Sequence, residues 1–385
     1  MTRRLPITVA AWVLATPNTP VAAQPDLHRT ELHDLRVVTV AEGLEAPWAI
    51  AFLPDGEILV TERAGRLRVI RGGRLLPDPV PGVPEVVARG QGGLLDVVAH
   101  PDFATNRTIY LSYSKPTPDH RWGTTAVVRG IYDGDGFAPI GEVFEAASRG
   151  RGHYGSRLAF DLDGYLYITV GDRQVTPRAG GDLRSHPAQK LSDHHGVVVR
   201  LHDDGRVPAD NPFVGRDGTL PEIWSYGHRN SQGLAVHPES GAIWLTEHGP
   251  QGGDEVNVAH AGANYGWPVI GYGVNYGSGT RIHDSSHAPG MEQPLHYWTP
   301  SIGTSGLAFY TGNKFPEWRG NLLAGGLVGQ RIDRLEIEDG RVVASETILA
   351  GAGRVRDVRQ GPDGLIYVAL DARSGPSIVR LEPAR

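Results

Sequence analysis

The sequence predicts an all-β fold, specifically a six-bladed β-propeller of four-stranded antiparallel blades. The 385 residues include 51 glycines and 29 prolines among short apolar runs, which is typical of strands joined by turns. No segment shows a sustained helical period, which argues against a doubly wound α/β fold. A turn followed by a short apolar strand occurs six times along the chain, and small sheets that cannot bury both faces alone stack radially. A β-sandwich, or two separate β domains, is the alternative.

The first residues have the pattern of an export signal. Arg3 and Arg4 precede an apolar run, and Val21-Ala22-Ala23 forms a small-residue cleavage site. We expect residues 1–23 to be a signal peptide and residues 24–385 to form the propeller, so that the mature protein is periplasmic or secreted. A disordered N-terminus is the alternative. The apolar run is too short to span a bilayer, and no later segment is longer, so no membrane span is expected.

Six hairpins follow in chain order. Each contains a turn with Gly, Asp or Asn before a short apolar strand, and such turns between strands are typical of β-hairpins. The strands after the six turns are Ile58–Thr61, Ile109–Leu111, Leu166–Thr169, Ile243–Thr246, Leu322–Ala324 and Leu365–Val368. Strands before the turn are expected at Trp48–Phe52, Leu158–Phe160, Gly233–Val236 and Gly306–Phe309.

Two further segments complete this prediction. Either Ser377–Leu381 or Leu35–Val40 is expected to finish a blade made from both chain ends. The segment from Asn264 to Tyr297 is rich in Gly and His and lacks a strand pattern. Long ordered loops in compact folds are usually functional, so we expect it on the rim of a pocket.

Charge and cysteine content exclude several functions. The formal net charge of -6, with no basic stripe, argues against a nucleic-acid partner. The chain has no cysteine, which excludes a thiol nucleophile, a cysteine zinc site, an iron–sulfur cluster and disulfide bonds.

Four polar clusters lie next to the predicted strands, where a propeller gathers side chains around its axis. His153 precedes the third hairpin and Asp172 follows it, which fits a general base with an orienting carboxylate. A structural or solvated histidine is the alternative. Arg229 and Asn230 precede the fourth hairpin and could polarise a carbonyl, unless they form only a polar turn.

The other two clusters suit a cation and an anion. The run Glu247–Glu255 combines carboxylates with free backbone carbonyls, which calcium prefers, and a solvated acidic turn is the alternative. Arg354 and Arg356 alternate on an extended segment, so both side chains should share one face and clamp carboxylates or phosphates. An exposed basic strand edge is the alternative.

In this order, the clusters resemble the soluble glucose and aldose sugar dehydrogenases that use pyrroloquinoline quinone (PQQ), and the bacterial aldose-type branch looks closer. The resemblance covers nearly the whole chain after the signal. Its most characteristic runs are Gln91–Asp96, Trp224–Asn230, Glu247–Pro250 and Asn264–Pro268.

The resemblance implies that an aldose is oxidised at C1 to the lactone, with hydride passing to PQQ and with Ca²⁺ bound to the cofactor. It implies that His153 takes the proton of the C1 hydroxyl, that Asp172 orients His153, and that Arg229 polarises the quinone. The implied cofactor-binding positions are Arg229, Asn230, Gly325, Gly326, Leu327, Arg354, Val355 and Arg356. Gln91 and Tyr276 match substrate-side positions. Gly249 and Pro250 match carbonyl ligands of the PQQ-bound calcium, and Glu255 and Tyr265 match a second, structural calcium site.

Two positions depart from the glucose enzymes. Val328 stands where those enzymes carry a lysine near the cofactor, so PQQ would be held more weakly or by backbone groups. His248 stands where they use a longer amide, so substrate preference does not transfer. The implied partners are an aldose and an undefined electron acceptor, and the protein is expected to be a monomer or homodimer.

Two other functions fit parts of the pattern. A calcium-dependent propeller lactonase or other hydrolase would use the same acidic groups without PQQ, and it leaves Arg354 and Arg356 without a role. A non-catalytic exported propeller that binds sugar or protein leaves the pairing of His153 and Asp172 unexplained.

Overall fold

The structure is a computed structural model that describes residues 27–177, 180–372 and 375–384. Six antiparallel sheets form the blades of a propeller, as predicted. The expected signal peptide, residues 1–23, lies outside the described residues. Within those residues, no helix has the length and apolar character needed to cross a bilayer.

Two N-terminal strands precede the first blade in the chain, β1 (Leu27–His28) and β2 (Leu35–Glu42). Blade 1 contains β3 (Pro47–Phe52), β4 (Ile58–Glu62), β5 (Arg66–Arg71) and β6 (Arg74–Leu75). Blade 2 contains β7 (Leu94–Ala99), β8 (Thr108–Pro116), β9 (Gly123–Tyr132) and β10 (Phe137–Glu145), with the short helix α1 (Phe103–Asn106) after β7. Blade 3 contains β11 (Leu158–Phe160), β12 (Leu166–Val170), β13 (Val197–Leu201) and β14 (Ile223–Tyr226).

Blade 4 contains β15 (Ser231–Val236), β16 (Ile243–Glu247), β17 (Asp254–Val258) and β18 (His296–Trp298). Blade 5 contains β19 (Thr304–Phe309), β20 (Leu322–Gly326), β21 (Arg331–Glu338) and β22 (Arg341–Ala350). Blade 6 contains β23 (Val355–Gln360), β24 (Ile366–Leu370) and β25 (Pro376–Pro383), followed outward by β2 and β1. Single 3-10 turns occur at Leu183–Ser185, Pro187–Gln189 and Pro316–Trp318.

The predicted hairpins are confirmed as the first two strands of the blades. The strand after each predicted turn is β4, β8, β12, β16, β20 or β24. Every residue of β4, β12, β16, β20 and β24 is buried. These strands have a neighbouring blade on both faces, which explains why the sequence shows continuous apolar runs there and no alternation.

Both chain ends complete blade 6. Strand β25 pairs with β24 on one side and with β2 on the other, with Val38 opposite Arg380. The two candidate segments for closure are therefore used together. The last described residue also reaches the start of the chain, because the Ala384 N–H donates to the Asp34 carbonyl over 2.7 Å.

The hydrophobic core is divided among the six interfaces between blades. One apolar cluster lies at each interface, for example between blades 1 and 2 around Leu59, Leu94 and Leu111. Each blade buries both faces in this way, so the ring is held by side-chain packing as well as by strand pairing.

A buried ionic network crosses the axis of the ring. Arg157, before β11, places Nη1 3.0 Å from Asp357 and 3.6 Å from Asp96. Arg359 contacts the same two carboxylates over 3.0 and 3.1 Å, and the Arg157 guanidinium lies 4.0 Å from the ring centroid of Trp48. Two cations and two anions leave no net charge, as burial of ions requires.

Candidate active site

A cavity of about 380 Å³ opens at one end of the propeller axis, above the ionic network. Segments of all six blades line it, including Trp48 of blade 1, Tyr154 of blade 3, Asn230 of blade 4 and Arg356 of blade 6. The Arg157 guanidinium donates to the Gln232 and Arg356 carbonyls, both of residues that line the cavity, over 2.7 and 3.0 Å. The network therefore forms the floor of this cavity.

His153 and Asp172, which flank the third hairpin in the sequence, are paired in the structure. The His153 Nδ1 and Asp172 Oδ1 atoms are 2.5 Å apart, and both side chains are buried. Gly171 permits the approach, because a Cβ there would lie 2.1 Å from the His153 carbonyl oxygen. His153 itself has a φ of 46°, in the left-handed region that is uncommon for residues other than glycine.

The remaining contacts of this pair fix its orientation. The second carboxylate oxygen of Asp172, Oδ2, accepts the Trp267 indole N–H over 2.7 Å. The Gln174 N–H donates to Oδ1 over 3.0 Å, and the Gln91 Oε1 accepts the His153 N–H over 2.7 Å. Because Nδ1 faces Asp172, Nε2 is the ring nitrogen left for a ligand.

Burial sets the protonation of the pair. It lowers the pKa of His153 below its ordinary 6.5, more than the charge of Asp172 raises it, and Arg229 and Arg173 act in the same direction as burial. Burial acts to raise the pKa of Asp172, but His153, Arg229 and the Gln174 N–H outweigh it, so that this pKa is lowered. At neutral pH the pair is a neutral imidazole beside a carboxylate, which suits a general base.

His153 is not among the residues that line the cavity. Its neighbours Tyr154 and Gly155 line the cavity, as do both predicted substrate-side residues, Gln91 and Tyr276. Tyr276 is 67% exposed, so it stands at the mouth.

Arg229 lines a small adjoining pocket of about 20 Å³. Its Nη1 donates to the Gly249 carbonyl over 2.7 Å and to the His248 carbonyl over 3.1 Å. Its guanidinium carbon lies 5.2 Å from the ring centroid of Trp267. Gly249 lines both spaces, so Arg229 is separated from the main cavity by the segment that carries the predicted calcium ligands.

Arg354 and Arg356 both line the main cavity, as their alternation predicted. Arg356 is only 7% exposed, yet its nearest polar partners are distant, with Gln232 Oε1 at 3.4 Å and Asp371 Oδ2 at 3.7 Å. Its Nε atom is buried and finds no hydrogen-bond partner in the described part of the chain. Burial lowers the pKa of Arg356 to about 9, with the charges of Arg63 and Arg354 among the further causes. The guanidinium still stays charged at neutral pH, so this side of the cavity suits an anion.

Some of the other predicted cofactor-binding residues line the cavity, and the rest pack against neighbouring strands. Leu327 lines the cavity beside Val328, and Asn230 lines it while its Oδ1 accepts the Gly155 N–H over 3.1 Å. Gly325, Gly326 and Val355 are buried and do not line it. A Cβ on Gly325 would meet Ser305 and Val355 within 2.8 Å, so Gly325 serves close strand packing.

The predicted calcium ligands form two neighbouring groups of oxygen atoms. Gly249 and Pro250 line the cavity, and both of their carbonyls already accept hydrogen bonds, Gly249 from Arg229 over 2.7 Å and Pro250 from the Ser301 hydroxyl over 3.3 Å. Glu255 lies beside Glu247, and burial together with that second carboxylate raises the pKa of Glu255 to about 8. Tyr265 uses its hydroxyl to donate to the Val258 carbonyl, so its own carbonyl oxygen is the atom left for a cation.

The metal prediction depends on backbone oxygens. In the ranges that the structure describes, no group of three or more His, Asp or Glu side chains is arranged to hold a metal ion. A calcium ion here would combine carbonyls with one or two carboxylates, which lies within its ligand preferences.

Three further residues complete the site, and none of them is among the catalytic, cofactor-binding, substrate-side or metal positions named above. Trp267 contacts Asp172 and Arg229, Arg63 adds a cation to the cavity wall, and Asp254 accepts the N–H groups of Gly249 and Gly303. Arg63 and Asp254 had a detectable signal, because Arg63 directly follows the buried strand β4 and Asp254 belongs to the acidic run Glu247–Glu255.

The chain is similar to known proteins over most of its length. The family model of glucose and sorbosone dehydrogenases matches residues 44–380. The aldose sugar dehydrogenase YliI of Escherichia coli (strain K12) is 43% identical over 358 residues, which cover 91% of this chain and 93% of that protein.

Two solved structures share the fold over nearly their whole length. The soluble aldose sugar dehydrogenase of Escherichia coli, in its apo form, has a TM-score of 0.83 and 41% identity, covering 91% of this chain and 100% of that one. The PQQ-bound aldose sugar dehydrogenase of Streptomyces coelicolor has a TM-score of 0.71 and 30% identity, covering 90% of this chain and 98% of that one. The chain therefore belongs to the glucose/sorbosone dehydrogenase family.

Proposed function

We propose that this protein oxidises an aldose at C1 to the lactone, using PQQ and calcium. The observation that carries the proposal is one cavity lined by a buried, poorly paired arginine and by Gln91, which is hydrogen-bonded to the His153 of a histidine–carboxylate pair. Relatives named as aldose sugar dehydrogenases, one of them with PQQ bound, support the choice of reaction and cofactor.

The donors around the cavity fit PQQ. This cofactor is a planar quinone with three carboxylates, and Arg356, Arg354 and Arg63 concentrate positive charge on one side of the cavity. Asp371 lies 3.5 Å from Arg354 and 3.7 Å from Arg356. The carboxylate of Asp254, which also lines the cavity, accepts the N–H groups of Gly249 and Gly303. Arginines pair with carboxylates through two parallel hydrogen bonds, which gives both affinity and orientation. Arg354 and Arg356 would hold the cofactor from blade 6, and Asn230 would contact it from blade 4.

His153 then acts on the sugar. Its Nε2 accepts the proton of the C1 hydroxyl, while Nδ1 remains bound to Asp172, whose charge stabilises the imidazolium that forms. Gln91 holds the backbone of His153 and lines the cavity, so the base and a substrate-side amide are fixed together. The bound quinone would supply the hydride acceptor for C1, with calcium as a Lewis acid beside it.

The oxygen donors suit calcium, but the expected carbonyl ligands already accept hydrogen bonds. The Gly249 carbonyl accepts from Arg229 over 2.7 Å, so a cation at that oxygen would compete with the guanidinium. Glu255 and Glu247, two carboxylates within one buried pocket, form a better defined place for a structural calcium ion.

Reconstitution tests the proposal. Purified apo-protein with PQQ and calcium should reduce a redox dye when aldoses are added, with one lactone formed for each two-electron equivalent. Protein without PQQ is the control. Hydrolysis of lactones without dye reduction would instead support a calcium-dependent lactonase, and binding without turnover would support a non-catalytic sugar-binding propeller.

We also propose that the protein is exported, because residues 1–23 have the pattern of a cleaved signal. The mass of the mature chain from a periplasmic fraction should correspond to a start at residue 24. A full-length chain found only in the cytosol would contradict this proposal.

A further inference from the structure

We propose that Trp267 is a positioning residue for the base, because it holds the Asp172 carboxylate in the orientation that serves His153 and keeps it from Arg229. The inference rests on the proposed function for its catalytic meaning. Its geometry, however, concerns only this chain's own side chains.

Asp172 divides its two carboxylate oxygens between different partners. Oδ1 faces His153 at 2.5 Å and also accepts the Gln174 N–H. Oδ2 accepts the Trp267 indole N–H over 2.7 Å, the one hydrogen bond that this oxygen makes within the described ranges. A carboxylate held at both oxygens cannot rotate, so the Trp267 bond fixes the direction in which Oδ1 meets the imidazole.

The indole also contacts the cation that would otherwise compete for the carboxylate. Arg229 lies on the face of Trp267, with its guanidinium carbon 5.2 Å from the ring centroid. The backbones of Arg229 and Asp172 are joined directly, because the Asp172 N–H donates to the Arg229 carbonyl over 2.8 Å. The buried cation and anion nevertheless do not pair, and Arg229 donates to the carbonyls of residues 248 and 249.

The backbone N–H and the backbone carbonyl of Trp267 are both hydrogen-bonded. The Trp267 N–H donates to the Gly227 carbonyl over 2.7 Å, and the Gln189 amide donates to the Trp267 carbonyl over 2.8 Å. The indole is 7% exposed. A long rim loop thus carries a rigid donor to a carboxylate that lies 95 residues earlier in the chain.

The first test uses the unmodified apo-protein with ¹⁵N-labelled tryptophan. The charged or titratable groups facing His153 are Asp172, Arg229, Arg173 and His248, and the rings of His186 and His283 border the indole. Protonation of His153 should shift the Trp267 indole N–H resonance through Asp172. The pH midpoint of this shift should equal the pH midpoint of the His153 titration. The resonance of Trp298, which donates to Asp333 over 2.9 Å, should not follow it.

His153→Ala is the control for this titration, because it leaves the two bordering histidines in place. The Trp267 shift should then disappear. A Trp267 resonance that does not move as His153 titrates, or that moves equally in His153→Ala, would overturn the proposal. The titration needs no PQQ, so its outcome does not depend on whether the proposed function is correct.

The second test compares Trp267→Phe with Trp298→Phe. Each substitution removes one hydrogen bond between a buried indole and a carboxylate. The two tryptophans also have similar exposure, 7% and 6%, so the variants are matched. Trp267→Phe should lower kcat by about tenfold, as expected for a lost hydrogen bond to a charged group, with KM and PQQ affinity unchanged. Trp298→Phe should leave kcat within about twofold. Equal loss of kcat in both variants would show a general effect of stability and contradict the positioning role.

Discussion

The arrangement of Arg356 leads to a prediction with opposite effects on ligand affinity and on stability. Arg356→Gln should weaken PQQ binding, because the guanidinium is the best placed donor for a cofactor carboxylate and has no short bond to lose within the protein. A hydrogen bond to a charged group contributes about 1.5–3 kcal/mol. Since about 1.4 kcal/mol corresponds to a factor of ten, Kd should rise about tenfold to a hundredfold.

The stability of the apo-protein should not fall in this variant. Arg356 is buried with Asp371 3.7 Å away, and the charges of Arg157, Arg63 and Arg354 act on it unfavourably. Removing a cation in that position relieves repulsion and desolvation, so the free energy of unfolding should stay the same or increase by up to about 1 kcal/mol. Denaturant unfolding of apo-protein and quenching of tryptophan fluorescence by PQQ, with calcium present, measure the two effects.

Arg334→Gln provides the matched control. Arg334 is also buried, but it donates to Asn321 over 2.6 Å and to Glu346 over 2.9 Å, and none of these three residues lines the cavity. Its loss leaves Glu346 poorly paired and should cost about 3 kcal/mol of stability with no change in PQQ affinity. If Arg356→Gln behaved like Arg334→Gln, with lost stability and unchanged affinity, the assignment of Arg356 to an anion-binding role would be wrong.

Four further predictions follow from the site. His153→Ala should lower kcat by about 10²- to 10⁴-fold with PQQ affinity retained, and retained turnover would remove His153 as the base. In the wild type, log kcat/KM should be level at neutral pH and fall as pH drops through the His153 pKa, which burial holds below 6.5, because only the neutral imidazole accepts a proton. A fall with its midpoint above pH 6.5, or an acidic limb that is unchanged in His153→Ala, would contradict this. Val328→Lys, at a rim position that is 69% exposed, should tighten PQQ binding by up to about fivefold and change stability little, as measured by the same titration. Calcium at about a hundred times its Kd should raise the wild-type unfolding free energy by about 2.7 kcal/mol, and Glu255→Gln should lose most of this gain in calorimetry; equal stabilisation of both proteins would place calcium elsewhere.

The sequence was informative where structure depends on neighbours along the chain. The turns before β4, β12 and β24 contain Asp and Gly, so the hairpins could be located from local chemistry. His153 and Asp172 flank a single hairpin, and its geometry brings them together. Arg354 and Arg356 share a face because side chains alternate along an extended segment.

The remainder depends on contacts between distant segments. Trp267 belongs to a loop without a strand pattern, and nothing local indicates that its indole meets Asp172. The position of Arg229, turned toward the Gly249 carbonyl, follows from how two loops of blade 4 pack. Sequence patterns also could not separate Gly325, which packs against neighbouring strands, from Leu327, which lines the cavity.

The pairing of β2 with β25 determines at which positions new chain termini can be introduced without loss of the fold. Loss of the final strand would leave blade 6 with bare edges on both sides of the gap, and unpaired edges are templates for aggregation. Residues 35 and 383, by contrast, are direct neighbours across that sheet. A short linker between them should therefore allow new termini at an exposed turn such as that of residues 133–136, giving a circular permutant with the same ring.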